Sequence, residues 1–227
     1  MLYIVPTPIG NLQDITLRAL DVLKQVDLIA CEDTRTSGKL LSHYGITTRR
    51  ISYHDHNERT RTPHLIARMK AGASIALISD AGTPGISDPG FYLVRECHRH
   101  DVVVVPLPGP SAVLPALVAS GIPSERFVFE GFLPPKKGRK TRLQEIAAET
   151  RTVVFYESPH RILKTLAELE DLCGPERPVA VARELTKKFE EVERGSIGAV
   201  RQTLMTRTKQ KGEFVVVIGG AGKVESP

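Results

Sequence analysis

The sequence has 227 residues, of which 41% are hydrophobic and 25% charged, which is enough apolar chain for one large domain or two small ones and argues against disorder. Three scattered cysteines without C-x-x-C spacing argue against a disulfide framework or a zinc site and favour a reducing cytoplasm. The net charge of +5 indicates either an anionic partner or a solubilising surface, and the lack of a long apolar run predicts a protein outside membranes.

Short apolar runs alternate with helical periods in the first half of the chain. The predicted strands are residues 2–5, 28–31, 75–79 and 102–105. The predicted helices are residues 16–26, 34–44, 62–71 and 89–100. This βαβ order is typical of a largely parallel, buried sheet with helices on both faces, so the sequence predicts an α/β fold.

In the second half the strand-like runs follow one another more closely, so we expect a mixed sheet there. The predicted strands are residues 127–129, 152–156, 179–183, 190–194 and 214–218. The predicted helices are residues 112–120, 140–149, 159–173 and 197–207. We place the domain boundary in a stretch rich in Pro and Gly, giving an N-terminal domain of residues 1–112 and a C-terminal domain of residues 113–227.

An acidic segment rich in Gly and Pro, ISDAGTPGISDPG at residues 78–90, begins at the end of the predicted strand 75–79. Ligands of α/β sheets collect in loops at the carboxyl ends of strands. The loop matches neither glycine-rich phosphate pattern and carries Asp80 and Asp88 without a Lys or Arg, so it suits ribose hydroxyls, an amino group or a positive centre. The alternative is an ordinary turn. Asp88 is expected to cap a helix starting at Pro89, which leaves Asp80 as the better ligand candidate.

Seven motifs along the chain carry a family resemblance: TPIGNLQDIT, EDTR, YHDHNE, SDAGTPGISDPG, PGPSA, FYESPHR and ARELTKKFEE. In order and spacing they resemble the tetrapyrrole-methylase-like class (class III) of S-adenosylmethionine-dependent methyltransferases, and within it the members that methylate 16S ribosomal RNA. The resemblance covers essentially the whole chain. It implies a two-domain α/β fold, a homodimer, and S-adenosylmethionine bound in a cleft between the domains.

The predicted donor site draws on both domains. The resemblance matches the loop after the first strand, the acidic loop and the start of the helix near residue 112 to donor contacts, and it matches parts of the second sheet to the wall around adenine. The donor-binding residues predicted in this way are Pro8, Gly10, Asp80, Gly82, Thr83, Ser111, Ala112, Tyr156, Ala182 and Phe214.

Basic residues favour an RNA substrate over the porphyrin precursors that the same fold methylates. The segment PPKKGRKTR places several cations in one loop, where they could contact phosphates without reading base sequence. A solvated charged face is the alternative. Aromatic residues make up 5% of the chain and Trp is absent, so a folded RNA surface is more consistent than an extended stacking platform. The predicted RNA contacts are Arg35, Lys136, Lys137, Arg139, Lys140, Arg161 and Lys188.

The segment SYHDHNE supplies the predicted catalytic residues. If residues 51–56 are extended, His54 and His56 share one face, which fits a structural pair, a proton acceptor or a metal site. Methyl transfer from a sulfonium needs no metal, and none is predicted. We predict that His54 accepts the proton of the attacking hydroxyl and that Glu58 orients it. Lys187 is the second candidate, provided that its surroundings lower its pKa.

The segment CEDTR at residues 31–35 has two interpretations. Glu32, Asp33 and Arg35 form either a strand-end ion pair with a helix cap or the rim of the site on the substrate side. Both interpretations place these residues at the carboxyl end of a predicted strand.

Three functions are compatible with these features. The leading prediction is S-adenosylmethionine-dependent 2′-O-methylation of a cytidine ribose in the decoding region of 16S ribosomal RNA, with the small ribosomal subunit as partner. The alternative is a methyltransferase of the same fold that acts on a tetrapyrrole precursor. A non-catalytic RNA-binding module is the third, and it would leave the donor loop without a purpose. The basic loops favour the first function over the second.

Overall fold

The computed structural model describes residues 1–222, so the last residues of the predicted domain 113–227 lie outside the described part of the chain. The chain divides into two compact units, Met1–Ser111 and Ala112–Pro227, here called the N-terminal and C-terminal units. Within residues 1–222, no helix has the length and apolar composition needed to cross a membrane.

The N-terminal unit contains a five-stranded sheet in which every pairing is parallel, with the order β3-β2-β4-β1-β5. Its strands are β1 (Leu2–Ile4), β2 (Leu28–Cys31), β3 (Arg50–Ser52), β4 (Ile75–Ile78) and β5 (Val104–Pro106). Its helices are α1 (Leu17–Gln25), α2 (Thr34–His43), α3 (Glu58–Lys70) and α4 (Phe91–Arg99). The predicted parallel α/β sheet is confirmed.

Both faces of this sheet are covered, because β2 and β4 are buried at every position. Leu28 and Ala30 belong to the core cluster that includes α3 and α4. Ile29 and Cys31 belong to the cluster that includes α1 and α2. Alternate side chains of a strand point to opposite faces, so an unbroken apolar run in the sequence corresponds to a strand with a core on each side.

The C-terminal unit contains a mixed five-stranded sheet with the order β6-β7-β10-β8-β9. Its strands are β6 (Phe127–Phe132), β7 (Thr152–Glu157), β8 (Pro178–Arg183), β9 (Glu191–Ser196) and β10 (Phe214–Ile218). Its helices are α5 (Val113–Ser120), α6 (Arg139–Ala148), α7 (Ile162–Cys173) and α8 (Ile197–Met205). The predicted mixed sheet is confirmed.

Strand direction in the C-terminal unit brings three loops to one edge. β6 is parallel to β7, and β10 is antiparallel to both β7 and β8. It follows that β6, β7 and β8 all run in the same direction. The segments that follow these three strands therefore leave the sheet at the same edge, here called the C-terminal unit's carboxyl edge.

One predicted helix start is wrong. Helix α4 begins at Phe91 after Gly90, and no side chain caps its first turn. Asp88 therefore does not act as the helix cap that the Asp-Pro pair suggested.

Candidate active site

Three loops of the N-terminal unit are joined where β1, β4 and β5 end. Thr7 and Gly82 exchange both backbone hydrogen bonds, each 2.9 Å long. The Thr7 hydroxyl donates to the Ser79 carbonyl at 3.0 Å, and the Thr83 hydroxyl donates to the Pro110 carbonyl at 3.1 Å. These bonds fix the loops after the three adjacent strands to one another, so Gly82 and Thr83 lie at the same edge as the predicted donor residues Pro8, Gly10 and Ser111.

Gly82 has a backbone conformation that disfavours any other residue. Its φ of 79° lies in the left-handed region, and a Cβ built there would be 3.6 Å from the Ile9 side chain and 4.0 Å from the Pro110 carbonyl oxygen. A larger side chain would extend into the junction between the three loops. The glycine thus allows the acidic loop to approach its neighbours closely.

Carboxylates are concentrated at this edge. Asp80 is exposed and accepts a hydrogen bond from the Asp33 amide at 3.1 Å, which links the ends of β2 and β4. Burial and then the charge of Glu32 raise the pKa of Asp88 to about 6, against an opposing hydrogen bond from Ser79. Burial, followed by the charge of Asp80, also raises the pKa of Glu32. The negative charges of these carboxylates repel one another. A cationic ligand, or one that donates hydrogen bonds from hydroxyls, would stabilise their ionised forms.

The segment CEDTR contains the ion pair and helix cap of the first interpretation. Asp33 precedes α2, and its Oδ1 accepts a hydrogen bond from the Arg35 amide at 2.7 Å. The Arg35 guanidinium donates to Asp33 Oδ2 at 2.8 Å while its side chain stays largely exposed. Hydrogen bonds from the Arg35 side chain and amide lower the pKa of Asp33 to about 2. The RNA contact of Arg35 stays a prediction.

Residues 51–56 do not meet the condition of an extended segment, because β3 ends at Ser52 and the chain turns before α3. The amides of Asn57 and Glu58 both donate to the His54 carbonyl at 2.9 Å. His54 and His56 therefore do not alternate along a strand, and their ring centroids are 6.0 Å apart.

The partner of the His54 ring is Asn57, in place of the predicted Glu58. Asn57 Oδ1 accepts a bond from the His54 amide at 2.9 Å, so its Nδ2, 3.0 Å from His54 Nε2, is the donor to the ring. An amide nitrogen can only donate, so Nε2 accepts and the ring proton resides on Nδ1. Within the described residues, that buried Nδ1 has no hydrogen-bond partner.

Lys187 does not have the lowered pKa that a proton acceptor requires. Its ammonium group is 3.0 Å from carboxylate oxygens of both Glu184 and Glu213. Burial lowers the pKa of Lys187, but the hydrogen bonds to Glu213 and Glu184 outweigh burial and leave the pKa raised. The prediction of Lys187 as a base is therefore wrong.

Arg139 is buried, unlike the lysines of the same basic segment. It is 5% exposed, and its guanidinium donates to Glu168 Oε2 at 2.9 and 2.6 Å and to Thr165 at 2.8 Å. The prediction of a phosphate contact by Arg139 is wrong, because its guanidinium is buried and already donates hydrogen bonds to Glu168 and Thr165 of the same unit. Lys136, Lys137 and Lys140 are exposed.

Arg161 also supports this edge of the C-terminal unit. Its Nε is 2.9 Å from the buried Glu157 carboxylate, and its Nη1 donates to the Leu133 carbonyl at 3.1 Å. Glu157 thus anchors an arginine that holds the backbone just before the exposed lysines. Arg161 is half-buried, and an RNA contact by it stays a prediction.

Ala182 and Phe214, which the resemblance matches to the wall around adenine, lie on the neighbouring strands β8 and β10, and the predicted donor residue Tyr156 lies on β7. Tyr156 and Ala182 are both paired with Val215 of β10. Ala182 is 1% exposed, and the Phe214 ring packs in the core beside α6, α7 and α8. The Tyr156 ring lies 5.1 Å from the exposed Phe132 ring, centroid to centroid.

Comparison with known proteins identifies the family of the chain. The family model of tetrapyrrole (corrin/porphyrin) methylases matches residues 1–201. The chain is 54% identical over 228 residues to the ribosomal RNA small subunit methyltransferase I of Haemophilus influenzae, covering 100% of this chain and 81% of that protein. The protein of the same name from Escherichia coli O157:H7 is 52% identical over 221 residues, covering 96% of this chain and 77% of that protein. The chain belongs to the ribosomal RNA small subunit methyltransferase I family.

Solved structures show the fold of the wider tetrapyrrole methylase family. The methyltransferase CobJ superposes with a TM-score of 0.70 at 20% identity, covering 100% of this chain and 96% of that chain. A uroporphyrin-III C-methyltransferase from Thermus thermophilus, solved with S-adenyl homocysteine, gives a TM-score of 0.64 at 19% identity, covering 96% of each chain. At this identity the likeness concerns the fold alone.

Sequence reasoning missed three residues that organise the site. Ser79 directly follows β4 and Thr7 is the third residue after β1, and this position near strand ends was a usable signal for polar groups that join loops. Asn57 could have been recognised as an Asx-type residue preceding a helix. The burial of Arg139 had no signal in the sequence, because its neighbours in the chain are exposed lysines.

Proposed function

We propose that this chain transfers a methyl group from S-adenosylmethionine to the 2′-hydroxyl of a cytidine ribose in the decoding region of 16S ribosomal RNA. The observation that carries the proposal is 54% identity over the whole chain to a ribosomal RNA small subunit methyltransferase I, together with the joined loops at the acidic edge. We further propose a cytoplasmic homodimer with the small ribosomal subunit as its substrate.

The edge of the N-terminal unit suits the donor. S-adenosylmethionine would supply an electrophilic methyl group on a positively charged sulfur, and it also carries an ammonium group and ribose hydroxyls. The exposed carboxylate of Asp80 and the nearby Glu32 can accept hydrogen bonds from such groups. Gly82 and Thr83 keep the backbone close and fixed. The residues proposed to hold the donor are Pro8, Gly10, Asp80, Gly82, Thr83, Ser111, Ala112, Tyr156, Ala182 and Phe214.

Exposed cations suit the acceptor. Lys136 and Lys137 follow β6, and Lys188 lies in the segment after β8, so they leave the C-terminal unit's sheet at its carboxyl edge. Lys140 lies in the first turn of α6. Contacts from these side chains to phosphates would position RNA without specifying its sequence. Arg139 is excluded from this set because it is buried and paired.

We propose that His54 accepts the proton released by the attacking hydroxyl at Nε2, the ring nitrogen that accepts from Asn57, so the ribose hydroxyl would replace the Asn57 amide as the donor to that nitrogen. The ribose hydroxyl is a weak nucleophile, so holding it in line with the methyl carbon supplies much of the acceleration. A base adds roughly 10²- to 10⁴-fold. Burial and then the charge of Asp80 raise the pKa of Glu32, and the nearby His54 opposes this increase, so His54 lies close to the carboxylates of the proposed donor site.

Methylation of a tetrapyrrole precursor is the second candidate. The observation that favours it is the fold shared with tetrapyrrole methyltransferases at TM-scores of 0.64 to 0.70. Exposed lysines at the carboxyl edge and the closer identity to ribosomal RNA methyltransferases favour RNA.

A direct comparison of acceptors tests the proposal. Three separate reactions each contain the protein, S-adenosylmethionine with a tritiated methyl group, and one acceptor. The acceptors are unmodified small ribosomal subunits, naked 16S RNA and a uroporphyrin-type tetrapyrrole. We expect label in RNA and none in the tetrapyrrole. Label in the tetrapyrrole alone would establish the second candidate.

A further inference from the structure

A strained segment follows β8 in the C-terminal unit and comprises residues 184–190, here called the 184–190 loop. Glu184 and Thr186 have φ values of 50° and 67°, in the left-handed region that non-glycine residues rarely adopt. Such strain persists only where surrounding contacts determine the conformation, and it concentrates at functional sites.

Several contacts hold the 184–190 loop in this conformation. The Lys187 amide donates to the Glu184 carbonyl at 2.9 Å, and the Glu190 amide donates to the Lys187 carbonyl at 3.1 Å. The Lys187 ammonium group bridges Glu184 and Glu213 at 3.0 Å from each. The loop is therefore closed on itself and tied to the start of β10.

This rigid loop presents an aromatic ring to solvent. Phe189 is 62% exposed, although a phenyl ring gains free energy from burial. The Lys188 ammonium group lies 5.7 Å from the centroid of the Phe189 ring. The loop thus displays a flat apolar face and a positive charge side by side.

The ring lies at an edge where other cations emerge. Phe214 at the start of β10 is paired with Glu157 at the end of β7 and with Arg183 at the end of β8. The 184–190 loop and the segment after β7 therefore leave the sheet on the two sides of the start of β10. The segment with exposed Lys136 and Lys137 leaves the same edge after β6.

We propose that Phe189 stacks against a nucleobase of the RNA substrate while Lys188 contacts a neighbouring phosphate. A nucleotide is the ligand class that combines a planar π face with a negative charge, and a phenyl ring in a fixed loop binds it with little loss of conformational freedom. The inference rests on the proposed RNA substrate. It adds a base contact to a surface whose other predicted contacts are all to phosphate.

Substitutions at residue 189 test the stacking. Phe189→Ala is expected to weaken binding to unmodified small ribosomal subunits by roughly ten- to a hundredfold, since base stacking contributes on that scale. Phe189→Trp should keep the affinity, and Phe189→Leu, which keeps apolar area without a π face, should lose most of it. Because the ring is exposed, each variant should fold.

A second exposed phenylalanine controls for the general effect of removing a phenyl ring. Phe127 begins β6 at the opposite edge of the same sheet and is 37% exposed, so Phe127→Ala should leave RNA affinity unchanged. Donor affinity, measured by calorimetry, should be the same in all four variants. The oligomeric state, measured by light scattering, should also be unchanged.

The outcomes distinguish this inference from the proposed function. If the wild-type protein methylates small subunits and Phe189→Ala binds them as tightly as wild type, the stacking inference is overturned while the function stands. If Phe189→Ala changes the oligomeric state at constant RNA affinity, the ring is a protein contact and the inference is also overturned. If the wild-type protein methylates no RNA, the proposed function itself fails.

Discussion

Asp88 shows how the position of a single carboxyl group sets its protonation. Burial, the charge of Glu32 and the nearby Asp80 raise its pKa from 3.8 to about 6. Below pH 3.8 the carboxyl is protonated in both the folded and the unfolded chain. Between pH 3.8 and about 6 the unfolded chain loses the proton first, so the free energy of unfolding falls as the pH rises.

Replacing this carboxyl should therefore stabilise the protein above pH 6. Asp88→Asn is expected to raise the free energy of unfolding at pH 7 by about 2 kcal/mol, after allowance for solvent screening of the shift. It should also flatten the pH dependence between pH 4 and 6. Urea unfolding at several pH values measures both effects. Asp21→Asn on α1, an exposed position, is the control, and an equal effect from it would contradict the local origin.

A second prediction for a single residue concerns His54, whose ring nitrogen is the proposed proton acceptor. His54→Ala is expected to lose about two orders of magnitude in single-turnover methylation, while donor and RNA binding are kept. The remaining activity should increase less steeply with pH. The control is His56→Ala, two residues away and exposed. Equal rates for His54→Ala and wild type would assign His54 a structural role.

At the scale of elements, function depends on loops that leave parallel strands at a common edge. The Thr7–Gly82 bridge joins the loops after β1 and β4, and the Thr83–Pro110 bond joins the loop after β5. The parallel sheet thus positions three loops at one place. The donor site should accordingly be sensitive to backbone changes in any one loop.

Substitutions in the acidic loop test this dependence. Gly82→Val should abolish measurable donor binding, because the residue has a positive φ and its side chain would enter the loop junction. Asp80→Ala should weaken binding by roughly tenfold through lost hydrogen bonds. Calorimetry with S-adenosylmethionine measures both. Gly72→Ala also occurs at positive φ but has no atoms near the added Cβ, so it controls for backbone strain.

The exposed lysines of the C-terminal unit make a second prediction at this scale. Reversing Lys136, Lys137 and Lys140 to Glu should weaken RNA binding and flatten its salt dependence, since phosphate contacts release counterions. Donor affinity should not change. A control with the same net charge reverses three exposed lysines of the N-terminal unit, Lys24, Lys39 and Lys70. Equal RNA binding by the two triple variants would show that the lysines form only a solvated face.

For the whole molecule, the sequence predicted the two sheets because hydrophobic runs and helical periods are local signals. The buried strands β2 and β4 are continuous apolar runs, and both were predicted. The short edge strand β3 carries little apolar periodicity, and the turn after Ser52 depends on the Asn57 side chain. For this reason the sequence could not decide whether the two histidines lie on an extended segment.

Strand direction decides where the predicted loop residues lie, whereas tertiary contacts decide which predicted charged residues are already paired. Asp80, Gly82 and Thr83 are adjacent in sequence after one strand, so their shared location follows from the chain. Lys187 and Arg139 have partners 26 to 29 residues away, Glu213 and Glu168, which no local pattern reveals. Because of those ion pairs, Lys187 does not have the lowered pKa of a base and Arg139 is not available to contact phosphate.

The most direct measurement is mass-spectrometric mapping of 16S RNA after unmodified small subunits are incubated with donor carrying a deuterated methyl group. We predict label at one cytidine in the decoding region, on the ribose 2′-oxygen, and a much lower yield with Asp80→Ala. Label on a base or label spread over many nucleotides would contradict the proposed reaction. So would the absence of label from protein that is folded and binds the donor.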